Sequence, residues 1–414
     1  MAAGEIEIQE FDESAMGVRL VSFTISGLFG YLDHQIVFPQ MDFQAAEPEV
    51  LIVEGQNGSG KTTIMKMIAG ALELDFDIFR SVPFASAELK LSQGHKLIIV
   101  HQPDNKDFKI QVKFGAHAVS LASDKAEAKY SSEQSEQIDI FRREALKILR
   151  SIDYEFLSID RSIKAKDAEE HRFLSNNGQY YYSAAQVARQ RRFFPLAKRV
   201  SNFLRDAQVN YRRFFQAEDL ELLPRMLKRF ESSGSMFHHE DLVSRLQTLY
   251  IRDQMVSSFG LQSSNAELSV LSDLLANDQY KTDTKALILI DSYLEMHENI
   301  SKSRQLIADR LVEFEKIMDE FLVGKSIKVN ARQGLAISST IGPLNETDLS
   351  SGEYHFLYMM VSALLCHRAG TILAIDEPEL SLHVKWQRNL IKALSRCARG
   401  ASPIFFLATH STAI

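Results

Sequence analysis

The sequence predicts an α/β fold with a β-rich N-terminal lobe, an inserted helical segment and an alternating strand–helix C-terminal part. Residues 18–53 read as strands, and a glycine-rich loop and helical spacing follow them directly. Helical spacing then dominates from 184 to 325, and residues 326–414 return to alternating strands and helices. We therefore predict three parts, residues 1–183, 184–325 and 326–414.

The strands of the first part follow from alternating apolar and polar residues. Val21, Phe23 and Ile25 alternate with polar residues, and the apolar run at 50–53 predicts a buried strand directly before the glycine-rich loop. The same alternation over 87–121 predicts a meander of strands.

A short helix is predicted at 141–151, after a polar surface stretch at 124–139, and a strand at 154–159.

The inserted segment carries a helical repeat near its end. Apolar residues recur there at steps of four, three, four and three, at Ile307, Leu311, Phe314, Met318 and Phe321. A polar stretch at 232–235 predicts a turn between helices. The last part predicts a helix at 351–367, a strand at 371–375, one helix at 384–398 and a final strand at 404–408.

Composition excludes several classes of protein. The chain has 414 residues, of which 45% are hydrophobic, so wholesale disorder is excluded. Cys366 and Cys397 are too few for a disulfide framework. The acidic N-terminus does not resemble a secretory signal, and no run of 18 apolar residues exists. We therefore expect a cytoplasmic protein without a membrane segment.

Residues 55–62 fit the phosphate-loop pattern G-x-x-x-x-G-K-[ST] at each fixed position. Glycines let backbone N–H groups converge on phosphate oxygens, and the N-terminus of the following helix favours an anion. Lys61 would reach the β- and γ-phosphates, and the Thr62 hydroxyl would bind Mg²⁺. The predicted ATP-binding residues here are Gly55, Asn57, Gly58, Ser59, Gly60, Lys61, Thr62 and Thr63.

A hydrophobic strand ends in two acids, Asp376 and Glu377. Ligands of open α/β sheets bind at the carboxyl ends of strands, where such acids would meet a phosphate loop. Asp376 is predicted to hold Mg²⁺ through water, and Glu377 to polarise the attacking water.

The segment Leu-Ser-Ser-Gly-Glu at 349–353 precedes a predicted helix. It resembles the signature motif of ABC-type ATPases, in the form used by SMC, RecF and OLD-like proteins. The resemblance implies a P-loop NTPase fold of ABC type, in which Ser351 and Gly352 complete the nucleotide site of the opposite subunit.

Two further segments extend this resemblance. The EPE-x-x-LH form at 377–383 is similar to the same clade and corresponds to the family's D-loop, so Ser381 and His383 would touch the partner subunit. The last strand ends at His410, which matches the family's switch histidine contacting the γ-phosphate.

The sequence departs from the family pattern in two places. The glutamine of the family's Q-loop is absent from 156–161, so either Arg161 or Gln102 would take its role. ABC folds also continue with another helix or strand after the switch histidine, so the resemblance implies further chain beyond residue 414.

The resemblance implies an ATP-dependent clamp, a head-to-tail dimer or higher oligomer with ATP and Mg²⁺ at each shared site. Lys61, Glu377 and His410 would be its catalytic residues. One reading of its role is a prokaryotic anti-phage defence ATPase of the OLD/PtuA-like group, which controls a separate nuclease or toxin. An alternative is a RecF- or SMC-like DNA-repair ATPase. A transporter subunit is disfavoured by the long insertion, the missing glutamine and the EPE-x-x-LH form.

The insertion has a basic stretch. Residues 184–230 hold eleven lysines and arginines against four acids, with aromatic residues between them. Such a segment can follow a nucleic-acid backbone through 189–229. It can equally bind an acidic protein partner, or be a solvated helix face over an aromatic core.

Overall fold

The computed structural model describes residues 18–39, 47–102, 108–122, 132–157, 195–231, 238–261, 265–366 and 368–411. The chain forms two compact units. The first comprises Met1–Arg161, Cys366–Leu380 and Ala401–Ile414, and the second Ser162–Leu365 and Ser381–Gly400. The boundary predicted at 183/184 lies outside the described residues, and the three-part division stays a prediction.

The elements are numbered along the chain. The strands are β1 (Leu20–Leu28), β2 (Leu32–Val37), β3 (Glu49–Glu54), β4 (Ser86–Leu91), β5 (Lys96–His101), β6 (Phe108–Phe114), β7 (His117–Ala122), β8 (Tyr154–Leu157), β9 (Lys325–Asn330), β10 (Gly334–Ser339), β11 (Pro343–Leu344), β12 (Ile372–Asp376) and β13 (Ile404–Thr409). The helices are α1 (Lys61–Glu73), α2 (Asp77–Ser81), α3 (Ser132–Leu149), α4 (Leu196–Glu231), α5 (His239–Ser258), α6 (Asn265–Ala276), α7 (Thr284–Phe321), α8 (Ser351–Leu365), α9 (Val384–Gln387) and α10 (Leu390–Cys397).

The first unit contains a six-stranded antiparallel sheet in the order β2-β1-β4-β5-β6-β7. The predicted meander is therefore confirmed. Ala87, Leu89 and Leu91 of β4 are buried and alternate with more accessible residues, as period-two burial of one sheet face requires. The turn from β4 to β5 places Gln93 in the left-handed region at φ 59°.

The same unit contains a four-stranded parallel sheet in the order β3-β13-β12-β8. All residues of β12 and β13 are buried, as expected for the central strands of a parallel sheet. The strand predicted at 50–53 is present as β3, but the prediction that it is buried is wrong. Ile52 is 43% exposed, because β3 is an edge strand of the described sheet and pairs only with β13 there.

Helix α1 and both sheets of the first unit share one hydrophobic core. Ile64, Met65 and Ile68 of α1 are buried in it, and the ring of Phe38 meets the ring of Phe406 edge to face at 5.5 Å. Burial of each such side chain stabilises the fold by about 1.5–3 kcal/mol. This core therefore supports the loop that connects β3 to α1.

Helix α3 begins at Ser132, nine residues before the predicted start at 141. Its first turns carry mostly polar and exposed side chains, so apolar periodicity could not reveal them. The buried residues Phe141, Ala145 and Leu149 form the apolar stripe that predicted the second half of this helix.

The second unit contains helices, as predicted for the insertion, and two of them are long, α4 with 36 residues and α7 with 38 residues. Helices α5, α6 and α7 share a core that consists mainly of leucines, among them Leu246, Leu271 and Leu294. Helix α4 packs against α7 through Leu222, Met296 and Ile300. The turn predicted at 232–235 lies outside the described residues.

Within the second unit, β9, β10 and β11 form an antiparallel sheet, and α8 is buried along most of its length. The single helix predicted at 384–398 is wrong, because α9 ends at Gln387 and α10 begins at Leu390. The side chain of Asn389 donates to the Lys385 carbonyl at 2.9 Å. Such local side-chain bonding competes with the helical backbone pattern and interrupts it.

No helix in the described ranges has an apolar stretch long enough to cross a lipid bilayer.

Candidate nucleotide site

The loop between β3 and α1 is shaped by its glycines. Gly58 and Gly60 both have φ 87°, a left-handed conformation that side chains other than glycine rarely adopt. A Cβ atom at Gly60 would also lie 2.8 Å from Cδ2 of Leu28. The loop geometry therefore requires glycine at both positions and leaves Asn57 exposed at its tip.

Lys61 begins α1 and is 8% exposed. Its ammonium donates to the Gly55 carbonyl at 2.6 Å and to the Gln56 carbonyl at 3.2 Å. The hydroxyl of Ser59 is buried and has no hydrogen-bond partner among the described residues. A positive charge and an unpaired hydroxyl therefore face the same small loop, which suits a bound anion.

The residues predicted to bind Mg²⁺ are in contact. The Thr62 hydroxyl donates to Oδ2 of Asp376 at 2.7 Å, across 314 positions of the sequence. Asp376 is 4% exposed, and its Oδ1 is buried without a hydrogen-bond partner in the described part of the chain. Burial raises the pKa of the Asp376 carboxyl above its ordinary value. A buried carboxylate oxygen without a partner is costly, and together with a threonine hydroxyl it fits a divalent cation that takes oxygen ligands.

Glu377 and His410 come from the ends of adjacent parallel strands, β12 and β13. The Glu377 backbone N–H donates to the Ala408 carbonyl at 2.8 Å, and the Glu377 carboxylate is hydrogen-bonded to Nδ1 of His410. The backbone of Glu377 has φ 47°, a left-handed conformation that is unfavourable for residues other than glycine. Burial raises the pKa of the Glu377 carboxyl above its ordinary value, although the hydrogen bond to His410 acts in the opposite direction.

Glu379 also joins this site, although the sequence reasoning gave it no role. It is 5% exposed, and its Oε1 accepts hydrogen bonds from the Thr409 hydroxyl and from the His410 backbone N–H. The available signal was the second acid of the EPE segment, two residues after Glu377.

Ser351 and Gly352 lie at the start of α8 in the second unit. Ser350, rather than Ser351, caps this helix. Its backbone N–H donates to Glu353 at 2.7 Å, and its hydroxyl accepts from the Glu353 N–H at 3.4 Å. A Cβ atom at Gly352 would overlap the backbone oxygen of Ser381. The signature-like segment is therefore packed against the segment that resembles a D-loop.

Two other predicted contacts remain predictions. His383 caps α9 by accepting from the Lys385 N–H at 3.3 Å, and Ser381 has φ 64°. Contact of either residue with a second subunit is not tested by a single chain. Of the two candidates for the Q-loop role, Gln102 lies directly after β5 and Arg161 lies outside the described residues.

The basic residues of the insertion divide into two groups. Arg199 is buried, and Arg225 and Arg229 pair with acids of the second unit. Arg212 and Arg213 are exposed. The residues at 189–194 lie outside the described part. Only some of the basic residues are therefore available to a phosphate backbone.

A protein-family model matches residues 50–414 of the chain, and its description reads "AAA domain, putative AbiEii toxin, Type IV TA system".

Short segments also match curated ATP-binding proteins. The cytochrome c biogenesis ATP-binding export protein CcmA of Reclinomonas americana is 35% identical over 54 residues, 13% of this chain and 24% of that protein. The energy-coupling factor transporter ATP-binding protein EcfA1 of Ureaplasma parvum is 29% identical over 80 residues, 19% of this chain and 27% of that protein. The chain thus spans about a quarter of the length of these curated relatives.

Two solved structures cover most of the chain at low similarity. The Smc head domain of Pyrococcus furiosus, with an extended coiled coil and bound to the C-terminal domain of ScpA, matches with TM-score 0.40 and 11% identity, over 96% of this chain and 90% of that chain. The Smc head domain of Pyrococcus yayanosii, with a coiled coil and joint, matches with TM-score 0.38 and 11% identity, over 94% and 92%.

Proposed function

We propose that this chain acts as an ATP-dependent molecular clamp. The chain belongs to the AAA-domain family, whose model matches residues 50–414, and it is an ATPase of the AAA and ABC type. Two copies would meet head to tail and hold two ATP–Mg²⁺ between the phosphate loop of one copy and Ser351 and Gly352 of the other. The observation that supports this most is the contact of Thr62 with Asp376 beside the contact of Glu377 with His410.

The phosphate groups of ATP would bind the N–H groups of the loop and the N-terminus of α1. Lys61 would exchange the loop carbonyls for β- and γ-phosphate oxygens. Thr62 and Asp376 would hold Mg²⁺, which supplies charge neutralisation for phosphoryl transfer. Glu377 would orient the attacking water and accept its proton, and His410 would contact the γ-phosphate.

A clamp needs a ligand that binds its closed state more tightly than its open state. In the proposal the γ-phosphate supplies this difference, because Ser351 of the second copy would donate to it only in the closed dimer. Hydrolysis removes the bridging group and returns the dimer to monomers.

The nucleotide site is tested by ATP hydrolysis and nucleotide binding in matched variants. Lys61→Ala is expected to abolish nucleotide binding, whereas Lys113→Ala, a change at an exposed lysine of β6, should leave it unchanged. Glu377→Gln should bind ATP and lose at least about 100-fold in hydrolysis rate, as expected for the loss of a general base. Wild-type hydrolysis by Lys61→Ala would refute the site.

The clamp is tested by light scattering. Glu377→Gln with MgATP is expected to form stable dimers, and Lys61→Ala to remain monomeric under the same conditions. Ser351→Arg should block the dimer while it keeps nucleotide binding, because the signature acts on the other copy. A Glu377→Gln protein that stays monomeric at saturating MgATP would contradict the clamp.

We infer that the clamp is the sensor or regulator ATPase of a cytoplasmic prokaryotic anti-phage defence system with a separate nuclease or toxin. The family description, which names a toxin and a type IV TA system, supports this context. Among the described residues, the one cluster of three potential metal ligands is Glu377, Glu379 and His410, which belongs to the ATP site. We propose that the effector is a separate protein.

The biological role is tested by co-purification with the product of the adjacent gene and by phage plating. We expect co-purification that depends on Lys61, and loss of plating protection in Lys61→Ala. Protection that persists without nucleotide binding would contradict the regulatory role.

A DNA-repair ATPase is the alternative, and the exposed Arg212 and Arg213 of α4 favour it. It predicts ATP-dependent DNA binding with a steep dependence on salt concentration. At about 50–100 mM salt the Debye length is still roughly 10 Å, so phosphate contacts are only partly screened. An absence of DNA binding at this salt concentration would exclude the alternative.

A further inference from the structure

Glu379 is a buried carboxylate at the edge of the proposed catalytic centre that the proposed mechanism does not use. It follows β12 by three residues and is 5% exposed. Burial of a carboxylate is expensive unless hydrogen bonds compensate for it. Its partners therefore indicate what the carboxylate does.

One oxygen of Glu379 meets the end of β13 at three points. Oε1 accepts from the Thr409 hydroxyl, accepts from the His410 backbone N–H at 3.2 Å and lies 3.5 Å from Nδ1 of the His410 ring. The same ring nitrogen is bonded to Glu377. Glu379 thus contacts both the backbone and the ring of His410.

These contacts continue past His410. The Ser411 N–H donates to the Thr409 hydroxyl at 2.9 Å, so hydrogen bonds join Glu379 to Thr409 and Thr409 to Ser411, the two residues that flank His410 in the sequence. Thr409 is 2% exposed, whereas the His410 side chain is 46% exposed. The exposed His410 ring is therefore attached to a backbone segment that buried hydrogen bonds to Glu379 and Thr409 hold in place.

We propose that Glu379 is a positioning residue for ATP hydrolysis, which holds the β13 terminus so that His410 stays against Glu377 and faces the γ-phosphate. This inference rests on the proposed function, since it assigns a task relative to the proposed catalytic pair. Misplacement of such a group by about 1 Å can cost about 100-fold in rate, so a rigid support has a clear benefit.

A purely structural role explains the observations less well. A buried carboxylate rarely gives the most stable protein interior. Replacement of buried charged groups by apolar side chains of similar volume is often neutral or stabilising. Here the carboxylate accepts hydrogen bonds from the terminus of β13, the strand that carries the proposed catalytic side chain of His410.

The first test compares Glu379→Gln with Glu379→Ala. The glutamine oxygen can accept the same two hydrogen bonds, so Glu379→Gln is expected to keep kcat within about threefold of wild type. Glu379→Ala should lower kcat by about 10- to 100-fold and leave the Kd for MgATP within about threefold, because the proposed mechanism assigns Glu379 no contact with nucleotide.

The second test removes the other end of the bond. Thr409→Val is nearly isosteric and should lower kcat like Glu379→Ala, whereas Thr409→Ser should restore it. The double variant Glu379→Ala/Thr409→Val should lose no more than either single variant, since both remove the same support. Thr409→Val also serves if Glu379→Ala does not fold.

Crystal structures of the nucleotide-free variants provide a readout independent of hydrolysis. His410 is expected to leave Glu377 in Glu379→Ala and to keep its place in Glu379→Gln. An unmoved His410 in Glu379→Ala would overturn the inference, as would a Glu379→Gln variant as slow as Glu379→Ala. Failure of the proposed function would show differently, as wild-type protein without ATPase activity or Glu377→Gln with full activity.

Discussion

Asp376 shows how the proposed function constrains single residues. Its carboxylate is buried, one oxygen has no hydrogen-bond partner in the described chain, and burial raises its pKa. In the absence of cation the ionised group is therefore less stable in the folded chain than in the unfolded chain. Residues placed for catalysis commonly reduce stability in this way.

Asp376→Asn is accordingly expected to raise the melting temperature of the nucleotide-free protein. It should also raise the Mg²⁺ concentration that gives half-maximal hydrolysis by about 10- to 100-fold. An acid with a raised folded pKa lowers stability as pH rises through that pKa. The rise in melting temperature that Asp376→Asn causes should therefore be largest at neutral pH and decrease as the pH is lowered. Thermal unfolding from pH 8 down to below the ordinary aspartate pKa of 3.8 checks this, and an equal rise in melting temperature at both ends would contradict it.

The sequence could predict the residues of the site that are adjacent in the chain or fall at strand ends. Residues 55–63 follow a spacing that the phosphate loop requires, and Asp376 and Glu377 end an apolar strand. Glu379 could not be given a role, because its contact with Thr409 spans 30 positions and depends on how β12 and β13 pair.

At the scale of elements, the start of α8 depends on Glu353. Its carboxylate accepts from the Ser350 N–H and pairs with Lys325 at 2.7 Å. Burial alone would raise the pKa of Glu353, but the hydrogen bonds from Lys325 and Ser350 lower it below its ordinary value. The ionised carboxylate therefore stabilises the helix that carries the signature-like segment.

Glu353→Ala is expected to lower the free energy of unfolding by about 1–2 kcal/mol at neutral pH. The loss should diminish as pH falls through the lowered folded pKa, because the wild-type carboxylate is then protonated too. Asp273→Ala, at an exposed position of α6, is the matched control. Denaturant unfolding of both variants measures the difference, and equal losses would refute the assignment.

Gly352→Ala tests the packing of the same helix against Ser381. Alanine in a helix is normally more favourable than glycine by about 1 kcal/mol. Here the added Cβ would overlap the Ser381 carbonyl, so we expect destabilisation by about 1–3 kcal/mol instead. A thermal shift toward higher stability would show that the two segments are not in contact.

The elements were predictable where burial follows a simple period. The meander and the helical repeat at 307–321, which lies in α7, have regular apolar spacing, and both are confirmed. The polar start of α3 and the break at Asn389 have no such spacing. The exposure of β3 depends on its place at the sheet edge, which local sequence does not encode.

At the scale of the whole molecule, the arginines of α4 differ in whether they pair with acids of the same chain or are exposed to an external partner. Arg229 of α4 pairs with Asp291, which is 3% exposed, and with Glu295 at 2.7 Å. Arg212 and Arg213 of the same helix are exposed. Arginines of one basic stretch therefore have different tasks.

Arg229→Ala is expected to destabilise the protein by about 1–3 kcal/mol, because a buried carboxylate loses a partner. Arg212→Ala and Arg213→Ala should leave stability unchanged. If the alternative DNA-binding function holds, each should reduce the slope of log K against log salt by about one. Fluorescence anisotropy with duplex DNA over a salt series measures the slopes, and unchanged slopes would exclude this surface as the DNA contact.

The strand order of the parallel sheet constrains how the chain is made. β13 lies between β3 and β12, yet β3 ends at Glu54 and β13 begins at Ile404. On the ribosome, β3 and the phosphate loop therefore emerge long before the strand that pairs with them exists. The edge of β3 that pairs with β13 therefore stays open in the nascent chain, and the proposed ATP site is incomplete until His410 has been synthesised.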